Sequence, residues 1–179
     1  MIEASPTFGS ARLRMRPLVP EDAIALHPLY ADREAATYGA HPAHDSFAQT
    51  EERLAGIIAA AGDDARTWAI TLAGDDAAIG YLCCWERRQG GVVEIGYALA
   101  RSHWGRGIAR EAVAALVDAL FAGGARRVFA DTDPDNRPSI ALLEALGFQL
   151  EGRLRAEWHT HIGVRDSLIW GLLAGEWRR

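Results

Sequence analysis

The stretch His103-Trp104-Gly105-Arg106-Gly107-Ile108-Ala109-Arg110-Glu111-Ala112 decides how the rest of the chain is read. On its N-terminal side, Val92 to Ala100 carries β-branched and aromatic residues with no breaker until Arg101-Ser102, which predicts a strand. On its C-terminal side, Ala109, Ala112, Val113, Leu116, Val117 and Leu120 recur at i, i+3, i+4, i+7, i+8 and i+11, and Gly123-Gly124 supplies a stop. The unit is strand, glycine turn, amphipathic helix. The first turn of such a helix presents unpaired N–H groups at the positive end of the macrodipole, and glycines let a ligand approach the backbone. That combination is a cradle for an anion such as phosphate.

Glycine turns of this kind also serve as plain tight connections, and two phosphate motifs compete for the reading. A Walker A loop requires Lys and then Ser/Thr after its last glycine, and neither follows Gly107. A dinucleotide fingerprint requires a third small residue where Arg110 stands and a first glycine directly at the strand end, whereas several residues separate Leu99 from Gly105. Asp131 and Asp133, at the end of a following strand, would imitate the ribose-binding acid of that fold. A nucleotide binder therefore stays as the minor alternative.

Outward from this unit the chain reads as one domain, residues 1–179, since 179 residues with 49% hydrophobic content bury one substantial core. Ala11 to Arg16 alternates Leu13 and Met15 against Arg12, Arg14 and Arg16, which predicts a first strand with one buried face. A helix follows from Pro20-Glu21-Asp22, carrying Ala23, Ile24 and Leu26, with Leu29-Tyr30 at its end. His41-Pro42-Ala43-His44-Asp45 is a loop, and Ser46 caps a helix running to about Ala61 with Leu54, Ile57 and Ile58 inward. Strands Thr67 to Leu72 and Ile79 to Arg87 flank the turn Gly74-Asp75-Asp76, and Gly90-Gly91 makes a second hairpin into Val92 to Ala100. After the main helix come a short buried strand, Arg127 to Asp131, and a helix from Asn136 with Leu142, Leu143 and Leu146 on one stripe, closed by Gly147. Phe148 to Leu154 and Asp166 to Leu173 complete the sheet.

A net charge of −5 argues against a nucleic-acid-coating protein. Cys83-Cys84 are neighbours in an apolar strand and point to opposite faces, so they read as sheet residues rather than a disulfide or thiolate metal site. His41 and His44 lack a third ligand, and no metal is expected. With no apolar run of membrane-spanning length and no basic flank before an apolar core, a cytoplasmic protein with no membrane association is the expectation.

Glu94-Ile95-Gly96-Tyr97-Ala98-Leu99, then Trp104-Gly105-Arg106-Gly107-Ile108-Ala109 with Glu111-Ala112, then Asn136-Arg137-Pro138-Ser139 and Leu146-Gly147-Phe148, together resemble the GCN5-related N-acetyltransferase (GNAT) superfamily. More narrowly they resemble the RimJ/RimL-like branch, which acetylates N-terminal amines of ribosomal proteins. The similarity runs from Arg12-Leu13-Arg14-Met15-Arg16-Pro17 to Leu172. The phosphate loop of the superfamily usually begins with Gln or Arg where this chain has Trp104, and Trp is common in the branch named. The fold the resemblance implies is α/β (α+β), a mixed, mostly antiparallel sheet of about seven strands flanked by about four helices.

The function it implies is transfer of acetyl from acetyl-coenzyme A, a co-substrate, to a primary amine. A protein or peptide N-terminal α-amine is the first expectation, and a small amine such as an aminoglycoside, polyamine or amino acid is the alternative. A fold that binds coenzyme A without catalysis is a further one. Family members often pair, so a homodimer is an expectation of the same origin. In the resembled family the backbone at Tyr97, Ala98 and Leu99 holds the pantetheine and carbonyl, and the pyrophosphate rests on the N–H groups of Gly105, Arg106, Gly107, Ile108, Ala109 and Arg110. Arg106 or Arg110 adds a charged contact. Asn136 lies against the coenzyme's backbone and Ser139 near its sulfur, as proton donor to the thiolate, although both also suit the first turn of a helix. Glu94 and Glu157, the latter placed in the loop between the last two strands, compete as general base, with His159 and His161 as rivals.

Overall fold

The computed structural model describes residues 6–178 except 63 and 89, and the backbone alone at 87 and 88. Among the described residues an eight-stranded sheet carries five α-helices. In chain order the elements are β1 (Phe8–Gly9), β2 (Leu13–Pro17), α1 (Asp22–Tyr30), α2 (Arg33–Ala36), α3 (Phe47–Ala59), β3 (Ala65–Leu72), β4 (Ala78–Arg88) and β5 (Val92–Leu99). There follow α4 (Ile108–Ala122), β6 (Arg127–Thr132), α5 (Arg137–Ala145), β7 (Gln149–Thr160) and β8 (Gly163–Leu173). The strand order is β1-β2-β3-β4-β5-β6-β8-β7, antiparallel throughout except where β5 runs parallel to β6.

The expected architecture is the observed one, with two elements added. β1 has two residues and α2 four, too few for hydrophobic periodicity to register in the sequence. α2 forms because Asp32 accepts from the N–H groups of Glu34 and Ala35, satisfying donors that a single turn leaves open.

The two faces of the sheet are covered differently. α4 buries Ile108, Ala112, Val113, Ala115, Leu116, Val117 and Leu120 on one face, where Ile140 and Leu143 of α5 join the same core. On the other face α1 and α3 enclose a smaller cluster, Leu18, Ala23, Leu26, Leu29, Leu54, Ala69 and Ala78. Ile24 is 75% exposed, because α1 meets the sheet along Ala23, Leu26 and Leu29 and Ile24 falls outside that stripe.

Leu13 and Met15 are buried as the alternation of the first strand requires, but Arg16 is not the outward residue it was read as. Its guanidinium is buried in a two-pronged pair with Asp22, at 2.8 and 2.7 Å, and also meets Asp76. This pair ties the start of α1 to the sheet, and Asp22 further accepts from the Val19 N–H at 2.9 Å. A buried cation survives there because each prong has a carboxylate oxygen.

α3 begins with a reciprocal capping box between Ser46 and Gln49. Ser46→Ala is expected to cost about 1 kcal/mol in urea denaturation. Coenzyme affinity should be unchanged, since α3 lies on the face away from α4.

Candidate active site

The glycine turn has the backbone its sequence predicts. Gly105 and Gly107 both sit at φ +71°, a left-handed conformation that side chains resist, and Gly107 is the N-cap of α4. The N–H groups that open α4 therefore stand at a turn with no Cβ over them. A cavity of about 400 Å³ beside this turn is lined by Arg12, Arg106, Gly107, Arg110, Glu111, Ala114 and Leu146. Three guanidinium groups around a helix N-terminus suit a pyrophosphate better than any single cation.

Strand alternation puts Arg12 on the outward face of the first strand, and the structure adds it to this cluster. It donates to both oxygens of Glu111, from its backbone N–H at 3.0 Å and its Nε at 2.6 Å, and to the Arg106 carbonyl at 3.3 Å. Ser10 donates to the same carboxylate at 2.6 Å. Burial pushes the Glu111 carboxyl up, but the bonds from Ser10 and Arg12 outweigh it and hold the group below the ordinary carboxylate range. The turn is thus braced by an ionised Glu111. No local sequence signal reveals this, because the partners lie 99 positions apart.

Trp104, 41% exposed, donates its indole N–H to the Leu99 carbonyl at 2.7 Å. It closes the connection between β5 and the glycine turn.

β5 leads away from the turn into a gap in the sheet. Its parallel pairing with β6 covers only Val92↔Arg127, Val93↔Val128 and Glu94↔Phe129, so beyond Glu94 the two strands diverge. The Ala100 N–H bonds to the Ile79 carbonyl at 2.8 Å, and in an antiparallel ladder hydrogen-bonded pairs alternate, so Ala98 and Gly96 also turn their backbone groups to β4. Tyr97 and Leu99 turn theirs to the gap, with the Leu99 carbonyl already taken by Trp104. Of the three positions expected to hold a pantetheine, Tyr97 and Leu99 offer backbone groups in the right direction, and Ala98 does not.

On the α4 and α5 side of the gap stand Tyr97 and Ser139. α5 begins at a turn in which Asp133 caps the Asp135 N–H at 2.8 Å, and Arg165 from β8 grips Asp133 at 2.7 and 2.9 Å and also pairs with Asp135. Arg165 holds the Asp133 carboxyl below its ordinary range. Asn136 caps the helix by accepting from the Ser139 N–H at 3.3 Å, so its structural role is realised, and Ser139 is fixed in the first turn, half-buried.

Glu94 lies on the opposite face. Strand alternation puts it with Gly96 on β5 and with Tyr81, Cys83 and Trp85 on β4. A Cβ at Gly96 would lie 2.9 Å from the Cys83 sulfur and 3.2 Å from the Trp85 ring, so those two side chains lie over that glycine. Burial, followed by the neighbouring Cys84 and Glu94, pushes the Cys83 thiol far up, which makes it an inert wall and not a nucleophile.

Beyond Tyr81 an aromatic column continues into the helical cap: Tyr30 stacks on Tyr81 at 5.9 Å and His44 stacks on Tyr30 at 4.9 Å. His27 and His44 both meet the buried Thr50 hydroxyl through Nδ1, at 2.8 and 2.9 Å. His44 is therefore a packed residue that anchors its loop. Among the described residues no group of three or more His, Cys, Asp or Glu side chains is arranged to hold a metal ion.

Glu157 is not in a loop. It belongs to β7, at a bulge where Leu154↔Ser167 and Trp158↔Arg165 are successive pairs and Ala156 takes φ +53°. The bulge breaks the alternation that would have shown the strand continuing to Thr160. Asp166 holds it by accepting from the Ala156 N–H at 2.9 Å. Glu157 itself is exposed, as are His159 and His161. The structure thus brings Tyr97 to Ser139 and the three arginines to the glycine turn, and leaves Glu94 and Glu157 on separate elements.

The sheet thus opens beside the glycine turn, with Ser139 at the start of α5 and Glu94 on the other face of β5 where the pairing with β6 ends. Residues 12–149 match the acetyltransferase (GNAT) domain, and the chain belongs to that family. It is 35% identical over 176 residues to the uncharacterized N-acetyltransferase p20 of Bacillus licheniformis, covering 96% of this chain and 98% of the relative. Among solved structures, RimJ of Mycobacterium smegmatis in complex with CoA-disulfide superposes with a TM-score of 0.81 at 26% identity, covering 97% of this chain and 88% of that one. Spermidine N-acetyltransferase of Vibrio cholerae in complex with CoA and spermine shares the fold, with a TM-score of 0.79 at 22% identity over 93% and 98% of the two chains. The protein is an acetyl-coenzyme A dependent N-acetyltransferase with RimJ/RimL-like relatives.

Proposed function

We propose that this enzyme acetylates the α-amine of a peptide or protein N-terminus, with the gap between β5 and β6 as the passage that joins coenzyme and acceptor. The observation that carries the reading is the divergence of β5 from β6 beyond Glu94. It exposes the backbone edge of Tyr97 and Leu99 in line with the glycine turn. The pyrophosphate rests on the N–H groups at the start of α4 among Arg12, Arg106 and Arg110, and the pantetheine follows the open edge.

The attacking nitrogen comes from the face of Glu94. Its bond to the carbonyl carbon forms as the carbon–sulfur bond breaks. The amine proton passes to Glu94, directly or through one water, and the sulfur takes the Ser139 proton; solvent then restores both groups. Glu157, exposed on the β7 bulge, is assigned in this reading to the acceptor chain and not to the reacting nitrogen.

The α-amine is favoured over a polyamine by its acidity: with a pKa of ~7.7 it is partly neutral at pH 7 and needs only a weak base. RimJ, similar over most of this chain, adds weight to the reading.

The test is thiol release with free and N-formylated peptides, spermidine and an aminoglycoside. Free peptides should exceed the blocked ones by at least about 100-fold in kcat/KM, because blocking removes the nucleophile. Faster turnover of spermidine than of any free peptide would transfer the assignment to small amines.

A further inference from the structure

Tyr97 presents a contradiction between stability and sequence that the reaction resolves. Its ring belongs to the core against α4, and its hydroxyl is the one side-chain polar atom, among the described residues, that is fully buried with no hydrogen-bond partner. Buried hydroxyls are nearly always satisfied, because leaving one unpaired costs free energy that phenylalanine would avoid at the same ring volume. Burial pushes the phenol up to about 12, and the Ser139 hydroxyl is the polar group that opposes this shift, so Ser139 faces Tyr97 although the two make no bond of ordinary length and angle. Tyr97 also lies on the strand whose edge borders the gap.

We infer that the Tyr97 hydroxyl positions Ser139: with coenzyme in the gap it donates to Ser139 Oγ, so that the serine's own proton is directed at the departing sulfur. The hydroxyl keeps its proton throughout and does not touch the coenzyme, which meets Tyr97 only along its backbone. A serine hydroxyl has one hydrogen and can turn it in several directions. A second hydroxyl donating to its oxygen removes the wrong ones. The hydroxyl then has its partner at the step in which the thiolate develops.

This inference rests on Ser139 acting as the acid, and a double-mutant cycle separates the two. Tyr97→Phe should lower kcat by about 3- to 12-fold, the range of one hydrogen bond. The dissociation constant of coenzyme A should stay within about 2-fold. In the Ser139→Ala background the same change should have no further effect on kcat. The melting temperature of the free Tyr97→Phe enzyme should rise by about 2–4 °C, since an unpaired hydroxyl is removed.

A purely structural tyrosine would lower the melting temperature or act additively with Ser139→Ala, and either result overturns the inference. Weakening of coenzyme A binding by ten-fold or more would assign the hydroxyl to the coenzyme instead and overturn it equally. If Ser139→Ala alone leaves kcat intact, the acid reading falls first. If Ser139→Ala lowers kcat and Tyr97→Phe does not, the positioning role alone is wrong.

Discussion

Ser139→Ala is expected to lower kcat by about 10²-fold or more while the dissociation constant of coenzyme A stays within about 2-fold, because a general acid acts on the transition state and not on the bound ground state. The structure makes the substitution clean. Ser139 is held in α5 through its backbone N–H, which donates to Asn136, so removing the hydroxyl leaves the cap in place. Stability should therefore change by about 1 kcal/mol or less. Stopped-flow thiol release gives kcat, and calorimetry gives the binding constant. A variant with unchanged turnover would leave Ser139 as a first-turn residue only, and would reduce catalysis to the positioning of amine against thioester.

For Gly107→Val the expected loss is in binding: about a 10- to 100-fold weaker dissociation constant for coenzyme A, with kcat at saturation much less affected. The cause is conformational. A Cβ at this position would meet only an Arg12 nitrogen at 3.8 Å, an ordinary contact, but φ of +71° costs a β-branched residue about 1–3 kcal/mol. The turn relaxes, and the N–H groups that open α4 lose their common direction. Calorimetry on the folded variant reads the effect. Undiminished affinity would place the phosphate site elsewhere.

The glycine turn and the Asn136-to-Ser139 segment were legible because their information is local: two glycines before an apolar stripe, and a capping residue before proline. The seven longer strands were legible through alternation and turn residues. What the sequence hid is what pairing creates. Arg12 reaches the glycine turn only because β2 begins beside α4, and Ala98 turns away from the gap only because of the β4 register. The bulge at Ala156 made a strand look like a loop, since one left-handed residue shifts every following side chain out of phase. Tyr97 read as a backbone contributor, and nothing in its neighbours announced that its hydroxyl would be buried without a partner.

The opening in the sheet also bears on how this protein avoids its own kind. Unpaired strand edges invite other chains to add to them, the usual route to aggregation, and most proteins guard them with charge or proline. Here an edge at Tyr97 and Leu99 lies inside the sheet, between β5 and a diverging β6, with Trp104 occupying the last carbonyl. A foreign strand needs about 4.8 Å of clearance to each neighbour along its whole length, and where β5 and β6 pair from Val92 to Glu94 there is no such room. The edge is guarded by its place inside the sheet rather than by charge or proline.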